Sequence, residues 1–336
     1  MNYIDYNKAL FWQIGVLMNH CKSNKTYGIS RKLLALLLVL CLFVTGCSSD
    51  DTSDQPQTDS AAADSQGNTD SSMSVQNTYE QYTTFSEFTD ALFRENITLS
   101  TLNLHYTLAQ PENYGITDYK VALSNQSVVD FSTTKQQFYD YLCKLKSFDY
   151  NSLTKDEQLV YDILVYDLEQ EYNAADLQIY KEPLSPTIGD NAQIPILLAE
   201  YTFYDEQDIQ DYLTLLTTVP AYFEDIMKLE KMKSEQGLFM SDTTAEAIID
   251  QCREFIKNPE SNYLISSFTE RIEKMEGISE TQKAEYIAAN KEHVLQSVIP
   301  AYEALINGLT ELKGTGKNQT GGLANLPDGK RYYQYL

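Results

Sequence analysis

From about Tyr79 onward, apolar residues recur in separate runs at intervals of three and four, the spacing of one face of an α-helix. The first run is Phe85, Phe88, Leu92 and Phe93. Later runs with the same spacing occupy residues 138–145, 160–168, 209–229, 248–256 and 302–309. The pattern contains no alternation of strands with helices. The sequence therefore predicts a mainly α fold, an irregular bundle of many helices.

Capping residues and prolines predict where these helices begin and bend. Capping boxes are indicated at Thr154 with Glu157, Thr243 with Glu246, and Ser279 with Gln282. We expect Pro220 to kink or divide the helix at 206–233, and Pro300 to break or bend the last long helix. The proline- and glycine-rich residues 184–203 are predicted to form an irregular crossing loop with room for one short strand.

The N-terminal part of the chain has a different pattern. Arg31 and Lys32 precede twelve apolar residues, 33–44, and then come Thr45, Gly46 and Cys47. A basic start, a short apolar core and small residues at the cut are the parts of a secretion signal. Val-Thr-Gly-Cys also resembles the lipobox of bacterial lipoproteins, which implies removal of residues 1–46 and lipidation of Cys47. The alternative is an ordinary signal peptide or weak anchor with an incidental cysteine.

Residues 47–78 contain almost no large apolar side chain and are predicted to be the lipidated Cys47 and a flexible acidic, Ser-rich tether. Such a tether resembles those of Gram-positive lipoproteins, so we expect a domain of residues 79–336 outside the cell membrane. Met18 is an alternative start for the signal.

The net charge of the chain limits the classes of partner that it can bind. The net charge is −23, and the part from Cys47 onward carries 20 basic and 47 acidic residues. This field repels phosphate backbones, so we expect no nucleic-acid partner. The membrane, through the lipid, is the predicted partner.

Catalytic signatures are absent from the sequence. No His-Glu-x-x-His or Gly-x-Ser-x-Gly pattern occurs, and His105 and His293 are isolated on predicted helices. These two histidines could meet in space, but structural roles are the simpler interpretation. Cys143 and Cys252 are expected to be small buried residues, with one bridge as the alternative. The sequence therefore predicts no catalytic, metal-binding or cofactor-binding residue in this chain.

The last sixteen residues carry a more specific pattern. Gly322-Leu323-x-x-Leu326-Pro327-x-Gly329-x-x-Tyr332-Tyr333 resembles a segment of the bacterial family called domain of unknown function 885. Weaker matches are the phenylalanines at 85, 88 and 93, Tyr114-Gly115-Ile116, the start of the helix at 154, and Ile299-Pro300-Ala301-Tyr302. The resemblance covers residues 79–336. Gly329, Tyr332 and Tyr333 have no secure catalytic role in it, and packing at a helix entry is the simpler interpretation.

The resemblance implies a helical zinc metallopeptidase-like protein whose His-Glu-x-x-Pro-Gly-His motif lies in a C-terminal half. This chain has no such motif, so we expect the N-terminal half of a larger fold, inactive as given, with zinc present only if that half is supplied. An interrupted gene, a split protein completed by a second chain, or a stand-alone module would each explain an end at Leu336. The alternative function is a non-enzymatic surface lipoprotein that binds a peptide, a glycan or a protein.

Overall fold

The computed structural model describes residues 79–336; the signal segment, Cys47 and the tether lie outside these residues. Within them the chain forms eleven α-helices and no strand, so the predicted mainly α, multi-helix fold is confirmed. The helices are α1 Phe85–Ile97, α2 Thr101–Thr107, α3 Phe131–Lys146, α4 Lys155–Asn173, α5 Asp190–Glu200, α6 Glu206–Glu235, α7 Asp242–Ile256, α8 Tyr263–Lys274, α9 Glu280–His293, α10 Ile299–Leu312 and α11 Gly329–Tyr335.

The bundle is organised around α6, the longest helix. Its buried face contacts α9, α10 and the five-residue π-helical turn Val294–Val298 that joins them. The six helices from α5 to α10 contribute most residues of a large apolar cluster. The four helices from α1 to α4 contribute most residues of a second one. A third, smaller cluster packs the 3₁₀-helix Ala175–Tyr180 against the tail of the chain. Burial of these faces, rather than local propensity alone, holds the helices in place.

The prediction for residues 184–203 is wrong, because this segment contains α5 instead of a loop or strand. Pro195 lies inside the helix and cannot donate to the carbonyl of Asn191, four residues earlier. The buried hydroxyl of Tyr302 donates to that carbonyl at 2.9 Å. A partner distant in sequence thus satisfies the group that the proline leaves free.

The two prolines that were expected to interrupt helices behave differently from one another. Pro220 lies inside α6, which runs without a break from Glu206 to Glu235, so it does not divide the helix. Pro300 lies in the first turn of α10, directly after the π turn, and therefore marks an interruption of regular α geometry as expected.

Two of the three predicted capping boxes are confirmed, at Thr154 and at Ser279. The third is wrong: α7 begins at Asp242, and Ser241 accepts the N–H of Thr244 as its N-cap. Glu246 instead forms ion pairs with Lys313 and Arg253. A better cap two residues earlier displaced the predicted one.

The cysteine expectation is partly wrong. Cys252 is buried, but Cys143 is exposed on α3, and neither forms a disulfide. The apolar face of α3 at Tyr141, Leu142 and Leu145 leaves position 143 on the solvent side. No helix among residues 79–336 is both long and apolar enough to cross a bilayer.

Candidate functional site

The tail segment, residues 321–336, folds as a glycine turn, a short 3₁₀-helix at Leu323–Asn325 and then α11. Gly321 and Gly322 both have positive φ, 73° and 80°, which glycine adopts without steric cost. Gly329 is required for a different reason: a Cβ there would lie 1.6 Å from the carbonyl oxygen of Leu323. The glycines therefore shape the turn that brings α11 onto the bundle.

The two motif tyrosines have different environments. The ring of Tyr332 is buried and lies 5.7 Å from that of Tyr180, whose hydroxyl oxygen accepts the N–H of Asp328. Arg331 forms a two-pronged ion pair with Asp176. Tyr333, in contrast, is 67% exposed. Packing at the helix entry explains Tyr332 and Gly329 and leaves Tyr333 without a packing role.

A cleft of about 310 Å³ opens between the tail segment and residues 182–186. Lys233 lines it and donates to the carbonyl of Lys181 and to Glu230, each at 3.0 Å. Both side chains of this ion pair are almost fully buried, and one carboxylate oxygen of Glu230 has no partner. Burial raises the pKa of Glu230, and the nearby Lys233 opposes that shift.

A second cleft, of about 430 Å³, lies between α2, residues 108–119 and the start of α6; we call it the His105 cleft. His105 Nδ1 lies 3.2 Å from a carboxylate oxygen of Asp208, and the imidazole stacks on Tyr201 with ring centres 3.7 Å apart. The contacts of His105 do not include His293, which ends α9, so the structure does not bring the two histidines together.

Local sequence explains how the cleft is held. Ser100 caps α2, and Tyr106 on that helix donates to the carbonyl of Leu197 at 2.7 Å. Asp205 and Asp208 form a reciprocal capping box at the start of α6, where the positive end of the helix dipole favours carboxylates. The cleft therefore lies between two capped helices, along the length of α2 and at the start of α6.

The next carboxylate along α6, Asp211, is also held in place. It accepts from the hydroxyl of Tyr119 at 2.5 Å and from Gln207 at 2.7 Å. Burial raises the pKa of Tyr119, and the hydrogen bond to Asp211 raises it further, so the phenol keeps its proton as a donor.

Sequence reasoning interpreted His105 as a structural histidine, and it missed both Asp208 as its partner and the cleft itself. The pairing of acids at 205 and 208 is a local capping signal that could have been recognised. Nothing in the sequence indicates that α2 meets the start of α6. Of the two tyrosines that flank His105, Tyr201 lies in the segment 184–203 predicted as a loop, and Tyr204 follows directly after that segment.

Residues 79–336 do not provide a site that fits zinc. No group of three His, Cys, Asp or Glu side chains in this part of the chain could hold a metal ion together. Both oxygens of Asp208 are already engaged, by His105 and by the backbone N–H of Tyr204. The zinc that the resemblance implies thus has no donor set in the described residues.

Comparisons with known proteins bear on the fold and the family. The model of the family described as bacterial proteins of unknown function, DUF885, matches residues 111–336. Among solved structures, the chain is similar to that of a candidate lipoprotein from Colwellia psychrerythraea, with a TM-score of 0.57 and 18% identity. This match covers 74% of the chain and 43% of the other protein, so the chain spans less than half of that protein's length. No curated protein matches.

Proposed function

The chain belongs to the DUF885 family, and from this premise we propose that residues 79–336 are the N-terminal helical part of a lipid-anchored, zinc metallopeptidase-like protein outside the cell membrane. In this proposal the part described here supplies walls of the substrate cleft and no metal ligand. When bound by residues outside this part, zinc would supply an activated water for peptide hydrolysis.

The observation that carries the proposal is the exposure of Tyr333 beside the two buried residues of the same motif, Gly329 and Tyr332. Gly329 and Tyr332 build the turn and the helix, while Tyr333 remains 67% exposed beside them. An aromatic ring with a polar end is well suited to contact a peptide chain or a second protein surface. The neighbouring cleft with the buried Lys233 gives the tail segment a concave wall on the side of residues 182–186.

The structural neighbour supports the proposal in two respects. It is a candidate lipoprotein, which agrees with the lipobox-like Val44-Thr45-Gly46-Cys47. It is also more than twice as long as the matched segment, which leaves room for a second half of the fold. The similarity to this neighbour thus supports the lipid anchor and the larger size of the whole protein in this proposal.

The proposal is tested on the protein extracted from its own membranes, by intact mass, zinc content and peptide hydrolysis. We expect a species larger than the 38.3 kDa of this chain, with bound zinc and hydrolysis that a chelator abolishes. A species that matches residues 47–336 plus lipid, without hydrolysis, would overturn the proposal and favour a non-enzymatic surface lipoprotein that binds a peptide, glycan or protein. Chelator-sensitive hydrolysis by residues 79–336 alone would contradict the assignment of the metal ligands elsewhere.

A pair of variants tests the role of Tyr333 in the native protein. We expect Tyr333→Ala to lower kcat/KM about tenfold, the value of one lost contact in the transition state, with an unchanged melting temperature. Tyr166→Ala on α4 is the matched control, because Tyr166 is 68% exposed and lies outside the motif. Equal activity of the two variants would remove the main argument for a substrate-facing tail.

A further inference from the structure

We propose that the His105 cleft binds an organic ammonium group, carried by the side chain of a peptide or by a small amine. The inference rests on the acceptors, charges and aromatic rings that meet in this cleft. It is independent of any peptidase activity, because the binding concerns residues 101–119 and 201–211 alone.

His105 provides an acceptor that points to a donor ligand. The carboxylate of Asp208 can only accept, so Nδ1 of His105 carries the proton between them, and Nε2 is the nitrogen left to accept from a ligand. The side chain is 7% exposed. Within residues 79–336 Nε2 forms no hydrogen bond, and His105 is one of the residues that line the cleft. A buried acceptor of this kind is stabilised by a ligand that donates to it.

Two carboxylates at the cleft also have acceptor oxygens to spare. Asp205 uses one oxygen to cap the N–H of Asp208, and within the described chain its second oxygen is not engaged. The carboxylate of Glu112, on the opposite wall, forms no hydrogen bond or ion pair within residues 79–336, whereas its backbone carbonyl accepts the N–H of Gly115. These groups are distinct from Asp208 and Asp211, whose oxygens are already satisfied.

The charge of the cleft selects a cation. Glu112, Asp205 and Asp208 line it, Asp211 lies directly behind Tyr119, and no lysine or arginine is among its lining residues. A concave wall of one sign concentrates the potential and attracts ligands of the opposite sign. An anionic ligand would meet like charge on both walls.

The aromatic rings and the volume favour an organic cation over a metal ion. Tyr204 is 61% exposed, and its ring lies 5.7 Å from that of His105, so its face is available to an ammonium group. The donor geometry for a metal is lacking in the described residues. A volume of about 430 Å³ accommodates a lysine-sized side chain with part of its backbone.

The test is calorimetric titration of the mature full-length protein in detergent at pH 8, above the ordinary titration range of histidine. The probes are N-acetyl-lysine methylamide and its neutral isostere N-acetyl-norleucine methylamide. We expect saturable binding of the first and none of the second. n-Butylamine separates the two sources: binding equal to that of the lysine probe indicates a small amine, and weaker binding indicates a peptide side chain.

Conservative variants locate the binding. Asp205→Asn keeps an N-cap of equal quality and should weaken binding about tenfold with an unchanged melting temperature, as Glu112→Gln should also do. Asp118→Asn is the matched control, because it removes the same charge beside Thr117 and Tyr119 without lining the cleft. Absence of binding, binding of the neutral isostere, or an equal effect of Asp118→Asn would each overturn the proposal.

Discussion

At the scale of single residues, buried charge decides where the fold is sensitive to pH. Burial raises the pKa of Asp167 on α4 to about 6, with a further contribution from the negative charge of Glu171. Within the described chain the Asp167 carboxylate forms no hydrogen bond or ion pair that would favour its charged form. Between the ordinary pKa of aspartate and 6, the folded state holds a proton that the unfolded chain has lost, so stability falls as pH rises through this window.

We therefore expect Asp167→Asn to stabilise the protein by about 1 kcal/mol above pH 6, a value reduced for partial exposure of the group. The gain should disappear as pH falls from 6 to 4, because the wild-type carboxyl then becomes neutral too. Thermal unfolding across this range measures the difference. Asp162→Asn, an exposed position on the same helix, serves as control, and an equal pH-dependent gain there would contradict the assignment to Asp167.

At the scale of secondary-structure elements, α5 depends on a partner that is distant in the sequence. Pro195 removes one hydrogen bond of this helix, and Tyr302 on α10 supplies a replacement to the carbonyl of Asn191. The bond is buried, and Tyr302 is fully enclosed. The stability of α5 is thereby linked to the position of α10.

We expect Tyr302→Phe to cost about 1–3 kcal/mol of unfolding free energy, because the buried carbonyl of Asn191 is left without its donor. Tyr212→Phe is the matched control: that hydroxyl is equally buried and lies near Arg271 without a well-formed hydrogen bond in the described residues, so its removal should cost less than that of Tyr302. Chemical denaturation of both variants measures the difference. Similar losses in both would show that the hydroxyl of Tyr302 is not what supports α5.

Helices could be predicted from the sequence where their own apolar spacing and capping residues determine them. The periodic runs of α1, α4 and α6 and the caps at Thr154 and Ser279 are local signals, and the structure follows them. The segment 184–203 was misjudged because proline is a breaker only when nothing replaces the lost bond. Similarly, the tail pattern indicated the start of α11. Which of its two tyrosines is buried depends on Tyr180, which packs against Tyr332 from 152 residues earlier in the sequence.

The His105 cleft was not predictable for the same reason. His105 and Asp208 are 103 residues apart, and each belongs to a locally unremarkable helix. Only the packing of α2 against the start of α6 turns a lone histidine into a member of an acidic, aromatic cleft.

At the scale of the whole molecule, the lipid on Cys47 is predicted to be the main attachment to the membrane. The part of the chain from Cys47 onward carries 47 acidic against 20 basic residues, and such a surface is repelled by anionic lipid heads. No helix in residues 79–336 could replace the lipid by crossing the bilayer. Attachment should therefore depend on the single thiol.

We expect Cys47→Ser to move the protein from the membrane fraction to the soluble fraction, as followed by fractionation and immunoblotting. Cys143→Ser, at an exposed thiol within the folded part, should leave it in the membrane fraction. Retention of Cys47→Ser through high-salt washing would mean that the apolar segment 33–44 is an uncleaved anchor and that the lipobox interpretation is wrong.

The π turn Val294–Val298 has a consequence for insertions and deletions in the gene. It places one additional residue in the path from α9 to α10, and each residue turns a helix by about 100°. Loss of a single codon there would leave the chemistry of every other side chain intact and yet turn Tyr302 away from Asn191. A shortened gene would have to change the whole buried face of α10 to regain this core, so the length of the turn constrains the sequence that follows it.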